Sequence, residues 1–186
     1  MILWIDIETT GLKASINGII QLACIIEDDE NNIVDEILIN INPDTYGKIA
    51  ISYEALVING KTENEIKTYT HSKIAIKEFI DFIYKNVPKG TQFQLAGYNT
   101  PFDRSFIMEW FKYEKIPLYP IINYKDLDVL VLVRFADYYN LIPKTENHKL
   151  GTMCRHFNIP ILEHNALSDI KATYELSNKI KGLLNA

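Results

Sequence analysis

The sequence predicts an α/β layered fold in a single domain spanning residues 1–186. Three observations carry the prediction. Three β-rich apolar runs open the chain, apolar stripes at helical spacing then alternate with two more short β-rich runs, and 47% of the 186 residues are hydrophobic. That share gives one globular domain an ample core.

The first strand covers 2–8. The second, 18–27, and the third, 33–41, are joined by the acidic turn Asp28-Asp29-Glu30-Asn31-Asn32, a polar cluster between two apolar runs. Ile37, Ile39 and Ile41 alternate with Leu38, Asn40 and Asn42, as in a strand with one wetter face. Pro43 to Gly47 reads as loop. Residues 52–58 form a short helix that Asn59-Gly60 ends. From 72 to 87, Ile76, Phe79, Ile80 and Ile83 make one helical stripe, which Pro88 and Gly90 stop. A fourth strand, 92–96, runs into a helix over 102–115. Pro117 and Pro120 introduce a fifth strand at 121–124. Helices at 127–139, 150–157 and 165–183 complete the chain. The last has Asn165 as its N-cap and Ala166, Ile170, Tyr174 and Ile180 at helical spacing.

Several classes are excluded. There is no internal repeat, no low-complexity segment and no apolar run of about 18 residues to cross a membrane. The first strand begins at Ile2, which leaves no room for a signal or transit peptide. Cys24 and Cys154 lie in apolar surroundings without metal-ligand spacing and read as core residues in a reducing compartment. A cytoplasmic protein with no membrane partner is expected.

Chemistry concentrates at three places. Asp6 and Glu8 lie two apart near the end of the first strand, so their carboxylates project from one face. Paired carboxylates in a largely buried strand repel and lose hydration, and a divalent cation removes that cost. Alone, the pair reads as an edge strand with both acids in water. Asp103 lies in the first turn of its helix, after the break Gly97-Tyr98-Asn99-Thr100-Pro101; alone, it reads as an acid favoured by the helix dipole. His164 just precedes the closing helix and Asp169 lies one turn inside it. Alone, these read as a capped surface helix with a solvated acid. His71, His148 and His156 have no such companions and read as structural.

Together these residues resemble a family. Asp6-x-Glu8 with Thr9-Thr10-Gly11-Leu12, then Asn99-x-x-Phe102-Asp103, then His164 with Ala166-Leu167 before Asp169 are similar to the three motifs of the DEDD 3′–5′ exonucleases, in the branch with histidine in the third motif. The pattern is most similar to the proofreading epsilon-like group of bacterial DNA polymerase III. Ile51-Ser52-x-Glu54-Ala55 to Asn59-Gly60-Lys61-Thr62 resembles the family's helix and turn after the third strand, and Lys149-Leu150 through Phe157-Asn158-Ile159-Pro160 the helix before the third motif. The resemblance covers nearly the whole chain and sharpens the fold to a ribonuclease-H-like mixed five-stranded sheet flanked by helices.

It also implies a mechanism. Phosphodiester hydrolysis by two divalent ions, about 3.5–4 Å apart, activates a water and stabilises the leaving oxygen. Asp6, Glu8, Asp103 and Asp169 would supply oxygen ligands for Mg²⁺ or Mn²⁺, with Asp6 shared, Glu8 and Asp169 on the nucleophile side, and Asp103 acting from behind. His164 would be the general base, imidazole being the side chain that commonly titrates near neutrality. Thr9, Thr10, Gly11 and Leu12 would meet the terminal nucleotide, Leu12 wedging against the last base step and Phe102 stacking on a base; ordinary packing is the competing reading for both. Asn99 belongs to the second motif. Asn59 stands where epsilon-like proteins often have histidine, so a base contact from that turn is open.

The net charge of −5 and the pI near 5.4 work against tight binding of long duplex, an affinity that comes mostly from neutralised phosphates. Short or frayed single-stranded 3′ ends fit better, or delivery of the strand by a polymerase or another replication or repair subunit. Two alternatives stand beside a DNA exonuclease. Trp4-Ile5-Asp6-x-Glu8-x-Thr10-Gly11-Leu12 and Tyr124-Lys125-x-Leu127-Asp128-Val129 also resemble oligoribonucleases, which would make RNA the substrate. A non-catalytic binding module is the other, although all four carboxylates and the histidine are in place.

Overall fold

The computed structural model describes residues 1–184. β1 (Ile2–Thr9), β2 (Ile19–Glu27) and β3 (Ile33–Asn42), the three opening strands the sequence predicts, form an antiparallel meander. A 3₁₀ turn at Pro43–Tyr46 stands where a loop is expected, with Pro43 at its first position and Gly47 closing it in the left-handed conformation. Two short helices follow, α1 (Tyr53–Asn59) and α2 (Glu63–Ile66). Ser52 and Thr62 cap them through their hydroxyl oxygens. Then come β4 (Thr70–His71), α3 (Ser72–Asn86), β5 (Phe93–Gly97), α4 (Thr100–Tyr113), β6 (Ile122–Asp128), α5 (Val129–Tyr138), α6 (Leu150–Phe157) and α7 (Ala166–Leu184).

The sheet has six strands in the order β4-β3-β2-β1-β5-β6, one more than expected. β4 is two residues long, pairing with Ile41 and Asn42, too short to leave a periodic signature. β5 and β6 run parallel to β1. All nine residues of β2 are buried, and its apolar run is that of a strand covered on both faces.

Alternation along β1 divides the core. Leu3, Ile5 and Ile7 enter one cluster with Phe79, Ile83, Phe106 and Trp110 of α3 and α4. Trp4 enters the other, with Val133, Met153, Ile170 and Leu176 of α5, α6 and α7. Cys24 and Cys154 are buried and unpaired, one in each layer. No helix among the described residues is long and apolar enough to cross a membrane.

Candidate active site

β1 outruns its neighbour. It pairs with β5 only from Ile2 to Trp4, and β5 ends at Gly97, so the second half of β1 has one edge free of a parallel partner. A Cβ on Gly97 would lie 2.7 Å from the Ile5 carbonyl oxygen, so the chain can turn away this close to β1 only with glycine there. Asn99 then takes the left-handed conformation (φ 67°), and its N–H donates to Asp128 Oδ1 at 2.9 Å. The same oxygen accepts the Leu130 N–H at 3.0 Å, so one carboxylate caps α5 and pins the turn before α4. Asp103, in the first turn of α4, is thereby buried close to β1, where the Ile7 backbone partly offsets the rise of its pKa.

α7 approaches from the other side. Asn165 Oδ1 accepts the Ser168 N–H at 3.0 Å, the cap the sequence predicts. His164, also left-handed (φ 67°), donates its backbone N–H to Asp169 Oδ2 at 3.0 Å and is itself exposed. Asp169 Oδ1 is buried with no hydrogen-bond partner. A buried carboxylate oxygen in that state is costly unless something else satisfies it.

Asp6, Glu8 and Asp169 meet here. Each offers an oxygen, and the three lie within 4.8 Å of one another. Asp103 is buried beside them but outside that trio. Among the described residues no salt bridge reaches any of the four. Burial first, then the neighbouring carboxylates Asp103, Asp169 and Glu8, raise the Asp6 pKa well above the usual carboxylate range. Burial and Asp169 push Glu8 up to about 7. Burial pushes Asp169 up to about 6, against the lowering effect of the His164 N–H. Asp103 is raised chiefly by burial. All-oxygen donors, mutual repulsion and an orphaned buried oxygen fit a hard divalent cation.

Next to the carboxylates lies a cleft of about 250 Å³. Glu8, Thr9, Gly11, Leu12, Asn59 and Phe102 line it. Leu12 is 85% exposed, whereas Phe102 is half-buried and packs on Phe106 with ring centroids 4.9 Å apart. Thr10 differs. It is fully buried, and its hydroxyl donates to the Ala50 carbonyl (2.9 Å) and accepts from the Gly18 N–H (2.9 Å). Its N–H and C=O are spent on Gly18 and Ser52, so it shapes the loop from inside and offers no group to a ligand. The Asn59 amide donates to the Thr9 carbonyl at 2.9 Å and ties α1 to the end of β1. Asn99 faces a different cleft.

Ser52, Glu54, Ala55 and Ile58 of the α1 region also line the site and were not expected to. The signal lay in α1 itself: none of its residues is buried, although Leu56, Val57 and Ile58 are apolar. An apolar helix that joins no core has its surface available for a ligand.

Comparison with known proteins agrees with this geometry. The exonuclease family model RNase_T matches residues 3–177. The PolC-type DNA polymerase III of Oceanobacillus iheyensis is 31% identical over 172 residues, 90% of this chain and 10% of that one. The chain thus spans about a tenth of the length of the PolC-type relatives it matches. The oligoribonuclease of Pseudoalteromonas atlantica is 30% identical over 145 residues, 70% of this chain and 72% of that one. In fold, the zinc-bound complex of E. coli Exonuclease I with single-stranded DNA superposes with a TM-score of 0.81 at 22% identity, covering 99% of this chain and 42% of that one. By the ordered motifs, the fold and the match along most of its length, the chain belongs to the DEDD 3′–5′ exonuclease family.

Proposed function

We propose that the protein is a divalent-cation-dependent 3′–5′ exonuclease, one domain over residues 1–186, that hydrolyses single-stranded or frayed DNA ends to nucleoside 5′-monophosphates. One observation carries this reading: Asp6, Glu8 and Asp169 converge with no salt-bridge partner among the described residues, and Glu8 also lines a small, largely apolar cleft.

Asp6, Glu8 and Asp169 would hold two Mg²⁺ or Mn²⁺ ions, Asp6 shared between them, with Asp103 supporting the site from behind β1. When bound, such ions lower the pKa of an attacking water and stabilise charge on the leaving oxygen. His164 would take the proton from the attacking water; it is exposed, and its backbone N–H is held by Asp169. The cleft receives the terminal nucleotide. Leu12 wedges against the last base step and Phe102 offers its ring edge or face, contacts indifferent to base identity. Thr9 and Gly11 line the cleft; the Asn59 amide holds the Thr9 carbonyl, and the Asn17 side chain lies so close to Gly11 that a Cβ there would meet it at 2.7 Å.

Similarity to PolC-type polymerases and to an Exonuclease I bound to single-stranded DNA supports DNA as substrate and a polymerase or other replication or repair subunit as partner. Similarity to an oligoribonuclease over 72% of its length supports a second reading, RNA ends. Matched DNA and RNA oligomers labelled at the 5′ end separate the readings. With Mn²⁺, the DNA should shorten from its 3′ end and release 5′-monophosphates, and Asp169→Ala should abolish turnover. Full activity in excess chelator, or products bearing 3′-phosphates, would overturn the mechanism. Marked preference for short RNA would move the assignment to the second reading, and no turnover on either would leave a binding module.

A further inference from the structure

The loop between β1 and β2 supplies Gly11 and Leu12 to the apolar cleft, and it has little of its own to hold it. Of its apolar side chains Leu12 and Ile16 are exposed, and the small Ala14 alone packs against the core. Its base is secured: the Thr10 N–H donates to the Gly18 carbonyl at 2.9 Å, and the Asn17 amide donates to the Ala50 carbonyl at 2.8 Å. Its crown is a single turn, in which the Ile16 and Asn17 N–H groups both donate to the Lys13 carbonyl. That turn leaves the Ala14 and Ser15 carbonyls without a backbone partner.

Lys48 meets them. Its Nζ donates to the Ala14 carbonyl at 2.6 Å, to the Ser15 carbonyl at 2.9 Å and to Glu109 Oε2 of α4 at 3.3 Å. Three donors thus find three acceptors. The 3₁₀ turn before it sets the approach, since the Lys48 N–H donates to the Pro43 carbonyl at 3.0 Å. Glycine at 18 lets the far end of the loop lie against that turn. A Cβ there would come within 2.8 Å of Lys48 Cβ and 2.9 Å of the Tyr46 hydroxyl.

Lys48 is the one buried basic residue among the described residues. A buried ammonium gives up its hydration, and an apolar side chain of similar volume often serves stability as well or better. Stability alone therefore does not account for a lysine here. What the ammonium adds is direction: it fixes two carbonyls of the loop against α4. The first turn of α4 carries Phe102, which lines the same cleft as Leu12. One buried charge thus ties the loop of Leu12 to the helix of Phe102.

We propose that Lys48 is a positioning residue for strand binding, holding the Leu12 loop in the shape that receives the terminal nucleotide. The proposal rests on the exonuclease reading and on Leu12 as its wedge.

Lys48→Met keeps the length of the side chain and removes its donors. If the loop then keeps its closed shape for only about a tenth to a fifth of the time, the Michaelis constant on a twelve-nucleotide single strand should rise about fivefold to tenfold, with kcat within about twofold. In a Leu12→Ala background the same substitution should change it less than about twofold, because the contact being positioned is gone; a merely structural lysine would cost as much in both backgrounds. Amide exchange at Ile16 and Asn17 should quicken about tenfold or more, with α7 unaffected. Should Lys48→Met not fold, Glu109→Ala carries the test from a partly exposed position, with a rise of about twofold to fourfold that vanishes in the Leu12→Ala background. An unchanged Michaelis constant, an equal rise in both backgrounds, or a fall in kcat of the same size overturns the proposal. Unchanged loop exchange in Lys48→Met refutes the latch alone. A normal Michaelis constant in Leu12→Ala by itself refutes the wedge and the proposal with it.

Discussion

His164 combines two features that constrain how its role can be tested. Its backbone is left-handed, and its N–H holds Asp169. Alanine in that conformation adds strain, whereas asparagine tolerates it and keeps the N–H. His164→Asn should therefore hold Asp169 in place while removing the proton acceptor, lowering kcat about 10²–10⁴-fold with little change in cation affinity. A near-unchanged kcat would assign the base elsewhere. Leu12 is the complementary case, because 85% exposure leaves it almost no structural work. Leu12→Ala should preserve the melting temperature and raise the Michaelis constant on single strands. It should also weaken the expected ranking of single-stranded over mismatched over fully paired ends, since a mismatch has already lost part of the pairing a terminus must break. Equal rates on all three ends with the native protein would refute the wedge. At this scale the carboxylates were legible because their three motifs, in order, together resemble a family, whereas each taken singly read as an ordinary surface acid. Thr10 was not: the hydroxyl that looks available in the sequence is spent on Ala50 and Gly18, partners only the folded loop supplies.

Among the elements, the parting of β5 from β1 decides the site's shape. Gly97→Ala would drive a Cβ into the Ile5 carbonyl, and backbone cannot yield as a flexible side chain does. The expected cost is about 1–3 kcal/mol of stability. Because Asp103 follows on α4, activity should fall further than stability alone explains. Denaturant titration with a cation-binding measurement would show this, and an active variant of native stability would contradict it. The strands β1 to β3 were readable from long apolar runs. α7 was readable from its cap and stripe, and α4 from the Gly-Asn-Pro break before it. β6 was read too short, and its last residues were placed in the next helix. Asn123, Lys125, Asp126 and Asp128 are polar and the segment is partly exposed at the sheet edge, so it lacks the apolar signal of an inner strand. α2 and β4, at four and two residues, are shorter than any periodicity can register.

For the molecule as a whole, the carboxylate site should make stability depend on pH in an unusual direction. Folded pKa values raised to about 7 at Glu8 and about 6 at Asp169 mean that the cation-free native state binds protons more tightly than the unfolded chain. Their favourable contribution is complete below the ordinary carboxylate range and is lost as pH rises through about 6 to about 7. The melting temperature without cation should therefore decline across that window. Mn²⁺ should raise it more at pH 8 than at pH 5.5, since protons compete for the same oxygens; at a hundred times its dissociation constant the gain is about 2.7 kcal/mol. A cation effect independent of pH would show that these carboxylates are not the ligands. Finally, the trio joins β1, formed near the beginning of the chain, to α7, formed after every other element described. Such distant contacts are completed late in folding. A chain still emerging from the ribosome, or one that has released α7 on its way to unfolding, holds Asp6 and Glu8 without Asp169. By the proposed two-cation reading, such a chain lacks one of its ligands and should not cut the nucleic acid around it.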